Sequence, residues 1–491
     1  PGLRTLGVQE INIVDIVQPI TKYAVMVKDA QEIRYHLEKA VYLATHGRPG
    51  PTWIDIPANI QNAIVDTETL TGFDPKECEL SLDPDLQSKV ADVVKLLESA
   101  RRPLVHVGQG VRIAQAEEEF FNLVDKYRLP FVTARNANDI AGSDHELYVG
   151  RPGTFAQRGA NFAVQTSDLY LAIGTRLSLA QTGYNADDYA RNAKVVMVDI
   201  DQAELDKNTV DLHLKIQTDA KLFLAELSRQ LSQTELNSEQ WSPWLTQCQQ
   251  WQEKYPVVLP EYQEQTGSVN SYHFVDILSD VLTSNDVVVT DMGFAFQNIH
   301  QAFRVKKGQR VFTNCGLASM GWGLPAAVGA CVGSGRKRTV CVAGEGGLMM
   351  TIQELATIQH NRLPVKVFVL NNGGYLTIKQ TQELGFEKRY MGIDGDSGLS
   401  FPDFMKLAEA HGIKGIRLTS HQNLKQQLEE IMEHDGPVFC EIMMDTDQMQ
   451  APKAINRRNK DGTMRQTPLE DSYPFLDPAE IQENMEIANK L

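Results

Sequence analysis

Two apolar runs, Thr339-Val-Cys-Val-Ala343 and Val365-Lys-Val-Phe-Val-Leu370, flank a helical stretch and constrain this chain more than any other feature. Runs of this length and β-branched content read as strands buried on both faces, which calls for a parallel sheet covered by helices on each side. The stretch between them, expected as one helix over 348–360, carries Leu348, Ile352, Leu355 and Gln359 on one face. Strand, helix and strand form a right-handed crossover, so the loops that end the two strands emerge at the same sheet edge. Those loops are Gly344-Glu345-Gly346-Gly347 and Asn371-Asn372.

A carboxylate and an amide oxygen at one sheet edge are hard donors suited to Mg²⁺, which commonly completes its octahedral shell with phosphate oxygens. Glycines let a diphosphate approach the backbone closely, and a helix amino terminus favours its charge. Taken singly, Gly-Glu-Gly reads first as an ordinary glycine-rich strand-to-helix turn, and Asn-Asn as a surface turn. Together they suit a metal-diphosphate site.

The same alternation recurs upstream. Strands at 103–108, 169–173 and 195–199 define a second parallel sheet placed at 87–235, and strands at 287–290, 339–343, 365–370 and 438–442 place the first at 268–450. A helix over 30–45, with Ile33, Leu37, Ala40, Val41 and Ala44 at helical spacing, precedes a short strand at 52–56 closed by Pro57, so 1–62 reads as the end of another α/β domain. Polar segments at 62–86 and 240–267 read as linkers, and 451–491 as a carboxyl-terminal tail. A chain of 491 residues suits about three such units. The fold class is therefore α/β, with three-layer α/β/α domains and parallel sheets.

A formal charge of −16 leaves no positive field to hold a nucleic-acid backbone. The six cysteines, at 78, 248, 315, 331, 341 and 440, form no metal or disulfide pattern. His106, His145, His300, His360 and His411 likewise lack metal-ligand spacing. With no apolar run of 18 residues and no signal-peptide pattern, the expectation is a cytoplasmic protein with neither nucleic-acid nor membrane partners.

The motifs around these loops resemble those of the thiamine-diphosphate enzymes of acetolactate synthase type. The family signature is Gly-Asp-Gly, a spacer of twenty-odd residues, then Asn-Asn; here 347–370 is a spacer of 24. One departure is that the family's metal-binding Asp is Glu345. The resemblance implies thiamine diphosphate and Mg²⁺ as cofactors in a thiamine-diphosphate-binding fold. The metal would be held by Glu345, Asn372 and the carbonyl of Gly374. Gly344, Gly346, Gly347, Tyr375 and Leu376 would line the cofactor. Ser319-Met320-Gly-Trp-Gly-Leu-Pro325 is similar to the segment that supports the bent cofactor, adding Ser319 and Met320. Gly293, Phe294 and Ala295 occupy the place of a Gly-Gln-His turn near the diphosphate, with Phe294 and Ala295 replacing its polar residues. Family position also sets Lys28 and Arg151 at the cofactor pocket, with a solvated side chain an equal alternative.

Gln9-Glu10, Val27-Lys28-Asp29-Ala30 and the stretch 47–57 resemble the last third of the family's pyrimidine-binding domain. Its catalytic glutamate would lie upstream of Pro1, so no residue here receives that role. Gly108-Gln-Gly110, Gly174-Thr-Arg176 and Asp199-Ile-Asp201 resemble the domain that holds a structural FAD in acetolactate synthases; relatives without flavin share the fold, and a parallel sheet alone explains these residues. Gln380-Thr381 stands where the branched-chain synthases carry Gln-Trp. Together with 468–476 it looks closer to relatives in surface-polysaccharide or deoxysugar pathways.

The resemblance thus implies a carboligase that decarboxylates pyruvate and transfers the two-carbon unit to an acceptor carbonyl compound, working as a homodimer or homotetramer. The alternatives are a simple 2-oxo acid decarboxylase and a non-catalytic scaffold that keeps the fold. A nicotinamide dehydrogenase fits poorly, because no G-x-G-x-x-G follows a strand.

Overall fold

The computed structural model describes residues 10–78, 83–458 and 461–487. Of these, 10–78 and 83–86 gather with 199–206 and 216–219 into one compact unit, and the rest into a second.

In the first unit, β1 (Tyr23–Met26), α1 (Ile33–Thr45) and β2 (Thr52–Asp55) form a crossover whose strands run parallel, with Tyr23 opposite Thr52. The helix begins at Ile33 rather than at residue 30, because the Asp29 carboxylate accepts from the Gln31 N–H and closes a tighter turn over Ala30–Glu32. Leu37 and Val41, expected on its packed face, are exposed, and Ala40 is buried. Asp201 and Glu204 both take Arg48 Nη1, at 2.8 and 2.7 Å.

The second unit holds two six-stranded sheets, except that Asp199, Ile216 and Gln217, at the ends of two strands of the first, group with the other unit. The first contains β3 (Pro103–Val107), β4 (Phe131–Thr133), β5 (Tyr148–Gly150), β6 (Leu169–Ile173), β7 (Lys194–Asp199) and β8 (Leu214–Gln217), in the order β5-β4-β3-β6-β7-β8. Gly108 and Gly110 follow β3 because the turn after β6 passes through the space a side chain would need: a Cβ on Gly108 would lie 2.1 Å from the Gly174 carbonyl oxygen.

Helix α2 (Arg158–Thr166) covers this sheet, and α3 (Ser242–Lys254) packs against α2. That helix corrects the expected linker over 240–267. Trp241, Trp244, Leu245, Cys248 and Trp251 are buried at helical spacing, and Pro243 stands in the first turn, where its missing N–H costs nothing. Glutamines fill the outer face and mask the periodicity in the composition. Described parts of the expected 451–491 tail are likewise fastened to α2. Arg158 donates to the Ser472 and Pro474 carbonyls at 3.1 and 2.7 Å, and Asn161 Nδ2 donates to the Leu469 carbonyl at 3.0 Å.

The second sheet is built from β9 (Val287–Thr290), β10 (Arg310–Phe312), β11 (Thr339–Gly344), β12 (Val365–Asn371), β13 (Lys414–Leu418) and β14 (Val438–Met443), in the order β10-β9-β11-β12-β14-β13. Alternate residues feed two apolar layers: Val340, Val342, Phe368 and Leu370 on one face, Cys341, Ala343, Val367 and Val369 on the other. Of the helices that cover it, α4 (Phe294–Ala302) follows β9, α5 (Glu345–Met349) and α6 (Glu354–His360) follow β11, and α7 (Leu376–Gly385) follows β12.

The helix expected over 348–360 is therefore two. The break at 350–353 admits the turn at Gly321: Thr351 Oγ1 donates to the Gly321 carbonyl at 2.8 Å, and a Cβ on Gly321 would lie 2.8 Å from that of Met350. No helix among the described residues is long and apolar enough to cross a membrane.

Candidate functional site

β9, β11 and β12 are neighbours, so the segments that follow their carboxyl ends lie side by side: Asp291-Met292-Gly293, Glu345-Gly346-Gly347 and Asn372-Gly373-Gly374. This is the edge at which open parallel sheets bind ligands.

Glu345 is buried, and its Oε1 accepts the Asn372 N–H at 3.0 Å and the Gly374 N–H at 2.9 Å. The methylene it has beyond an aspartate thus carries the carboxylate onto the neighbouring strand's loop. Burial pushes this carboxyl up to about 7, against the opposing pull of the backbone amides around it. A buried carboxylate with Oε1 committed to amides still has Oε2 for a cation, and a cation would offset the desolvation that raises it. Asn372 is buried beside it, and both Gly373 and Gly374 line a cavity of about 280 Å³ with Tyr375, Ile393 and Asp394. One carboxylate, one side-chain amide and nearby backbone carbonyls form the oxygen-rich set that suits Mg²⁺ held partly by phosphate.

The glycines separate into two kinds. A Cβ on Gly346 would lie 2.0 Å from the Tyr375 ring, one on Gly347 2.1 Å from Asp291 Oδ2, and one on Gly374 1.9 Å from the Ile393 carbonyl oxygen. Packing alone requires these three. At Gly293 and Gly344 an added methyl would meet nothing within 4 Å, which leaves open space at the strand ends where a diphosphate would lie. Gly293, at φ +73°, turns the chain into α4, whose first amides have no partner within the helix. Phe294 and Ala295 follow with their side chains in the apolar core, so their contribution to an anion is backbone N–H only. Leu376 is also core, while Tyr375 is part exposed and stands edge-on to Phe401 at 6.2 Å.

Asp291 is a residue that motif reading passed over. It is buried, with Oδ1 accepting from the N–H groups of Met292 and Gly321 at 2.9 and 3.1 Å, and it holds the turn that carries Ser319 and Met320. Burial raises its carboxyl above the usual range, and the amides work against that rise. Ser319 and Met320 themselves are exposed on that turn.

Arg151 does not line this site. Its guanidinium is buried and caps the far end of α4, donating to the carbonyls of His300 and Phe303 at 2.8 and 2.9 Å. Lys28 is exposed.

Comparison with known proteins bears on the same segments. Residues 291–442 match the thiamine pyrophosphate enzyme C-terminal TPP binding domain, and 90–227 match the thiamine pyrophosphate enzyme central domain. The chain is 30% identical over 449 residues to an acetolactate synthase large subunit of Cyanidium caldarium, covering 89% of this chain and 74% of that one. It is 32% identical over 452 residues to a probable acetolactate synthase large subunit of Methanocaldococcus jannaschii, covering 89% and 74%. With the Escherichia coli acetolactate synthase isozyme 1 large subunit it shares 30% over 448 residues, covering 90% and 76%.

Proposed function

The chain belongs to the thiamine pyrophosphate enzyme family, close to the acetolactate synthase large subunits, and from there we propose that it is a carboligase that decarboxylates pyruvate and transfers the two-carbon unit to an acceptor carbonyl, a 2-oxo acid or keto-sugar. The observation that carries this reading is the meeting of the Glu345 carboxylate with the Asn372–Gly374 loop across adjacent strands.

Thiamine diphosphate supplies the electron sink on which a 2-oxo acid loses CO₂. The protein's own residues do the holding. Glu345 Oε2, the Asn372 amide oxygen and the Gly374 carbonyl are the proposed ligands for Mg²⁺. The open faces of Gly293 and Gly344 and the first amides of α4 receive the diphosphate, and Asp291 fixes the turn that presents Met320. Tyr375, packed against Gly346, closes one side of the loop. FAD is a second cofactor this reading allows but does not need, since close backbone packing already accounts for Gly108, Gly110 and Gly174. The reading extends to a homodimer or homotetramer in the cytoplasm.

Incubation with pyruvate, thiamine diphosphate and Mg²⁺, with and without a second carbonyl compound, tests it by product NMR. Acetolactate or a branched sugar is expected. Acetaldehyde as sole product would make the protein a 2-oxo acid decarboxylase, and absence of thiamine diphosphate binding by calorimetry would favour the scaffold.

A further inference from the structure

A cavity of about 1010 Å³ lies beside α7, lined on that helix by Thr377, Gln380, Thr381 and Leu384. These positions follow the i, i+3, i+4, i+7 pattern and so form one helix face. Because α7 starts at Leu376, directly after the proposed metal loop, the face runs away from the proposed diphosphate site into the cavity.

Its lining has an unusual charge distribution. Arg135, Arg176, Lys207 and Lys453 line it, and among the described residues no Asp or Glu does. Lys453 is 6% exposed, and its ammonium donates to the neutral Gln380 Oε1 at 2.6 Å. Burial pushes this ammonium down to about 8, with Glu383 the acidic group that pulls it back up. A buried cation opposed mainly by a neutral amide carries a desolvation cost that an anion in the cavity would offset.

A second observation is independent of that charge. Gln450, 2% exposed and three residues before Lys453, lines the same cavity, and its Nε2 has no hydrogen-bond acceptor among the described residues. Gln297 adds a buried amide oxygen without a donor, suited to a hydroxyl. Buried donors are rarely left unmatched unless a ligand or water completes them.

We infer that Lys453 and Gln450 receive the anionic end, carboxylate or phosphate, of the acceptor substrate, which makes Lys453 a specificity-determining residue. The inference rests on the carboligase reading above and deepens it. The acceptor's anion sits at Lys453, and its carbonyl points back along the Thr377–Leu384 face toward the thiamine diphosphate.

The test titrates the full chain calorimetrically with inorganic phosphate and, separately, with acetate. One anion binding at a single site is expected, phosphate pointing to a phosphorylated sugar and acetate to a 2-oxo acid. Lys453→Met should weaken that binding by about tenfold or more, and Lys453→Arg, which keeps the charge, should recover most of it. Gln450→Leu, which leaves the buried ammonium in place, should weaken it independently, so the result does not depend on one variant folding. In the activity assay Lys453→Met should raise KM for an anionic acceptor more than it lowers kcat, and Lys453→Arg should restore most of that KM. Failure of both anions to bind wild type, or equal binding by Lys453→Met, overturns the inference. So does the finding of a bound flavin that Lys453→Met releases, which would assign the cavity to that cofactor. Absence of CO₂ release from pyruvate would sink the carboligase reading and the acceptor assignment with it, whereas the anion site at Lys453 stands or falls on the titrations.

Discussion

Gly344 and Gly347 stand three residues apart in one turn, and different forces keep them glycine. A methyl on Gly347 would press into the Asp291 carboxylate at 2.1 Å, in a buried turn that cannot move aside. Gly347→Ala should therefore destabilise the fold by about 1–3 kcal/mol. Gly344 has φ −84° and open space around it, so Gly344→Ala should leave stability within about 0.5 kcal/mol of wild type. Its effect should fall on thiamine diphosphate affinity. Thermal melts with and without the cofactor separate the two, and an unchanged affinity in Gly344→Ala would mean the diphosphate lies elsewhere.

His106 shows how burial alone sets a protonation state. Gln181 Nε2, a donor, lies 3.0 Å from its Nε2, so the ring proton sits on Nδ1 and faces the Tyr170 hydroxyl, which in turn meets Tyr189 at 2.6 Å. Burial holds the imidazole down to about 3. The unfolded chain, with an ordinary histidine near 6.5, binds the extra proton between these limits. Stability from this group is thus full above about pH 6.5 and declines as pH falls toward 3, by at most about 1.4 kcal/mol per pH unit. His106→Gln should flatten that part of the profile in urea melts between about pH 4 and pH 6.

At the scale of elements, α4 is the most exacting piece. Its amino end faces the proposed diphosphate site and its carboxyl end is closed by Arg151, which reaches it from the loop after β5. The cation complements the helix dipole while supplying donors to carbonyls that the helix leaves unpaired. Arg151→Met would bury the His300 and Phe303 carbonyls without a donor and should cost about 2–4 kcal/mol. Because the same helix positions Gly293, cofactor affinity should fall with it. A loss of stability with unaltered affinity would show that the two ends of α4 are not coupled.

The break between α5 and α6 has an element-scale cause as well. An unbroken helix would fill the space taken by the Gly321 turn, which Asp291 holds from β9 and Thr351 from the break itself. Three strands' worth of loops are thereby tied to one another before any ligand arrives.

Across the whole molecule, the two six-stranded sheets, but for the ends of β7 and β8, belong to one compact unit although the sequence assigns them to separate domains. Arg310 on β10 pairs with the buried Asp139 at 2.9 Å and Arg151 caps α4, which ties the surroundings of the two sheets together. Helix α3 buries Trp244 and Trp251, and the turn before it buries Trp241; Trp251 donates through Nε1 to Asn484 Oδ1 at 2.9 Å, which fastens the 478–487 helix to α3. Tryptophan fluorescence and the reactivity of the buried thiols Cys341 and Cys440 should therefore report one transition in denaturant. Trp251→Ala should lower both midpoints together, at a cost of about 3–5 kcal/mol. Separate midpoints would mean that the sheets unfold independently.

The strands, their parallel order around β11 and β12, and the placement of Glu345 beside the Asn372 loop were legible in the sequence, because apolar period and loop chemistry are properties of neighbouring residues. The amphipathic pattern of α3 was also present, hidden only by its glutamines. The clamp of Asp291 on the Gly321 turn, the cut in the expected 348–360 helix, the capping of α4 by Arg151 and the delivery of Lys453 to Gln380 were decided by tertiary structure alone. Each depends on which polar groups lose water together, and that is settled between segments 30 to 149 residues apart, beyond the reach of any local pattern.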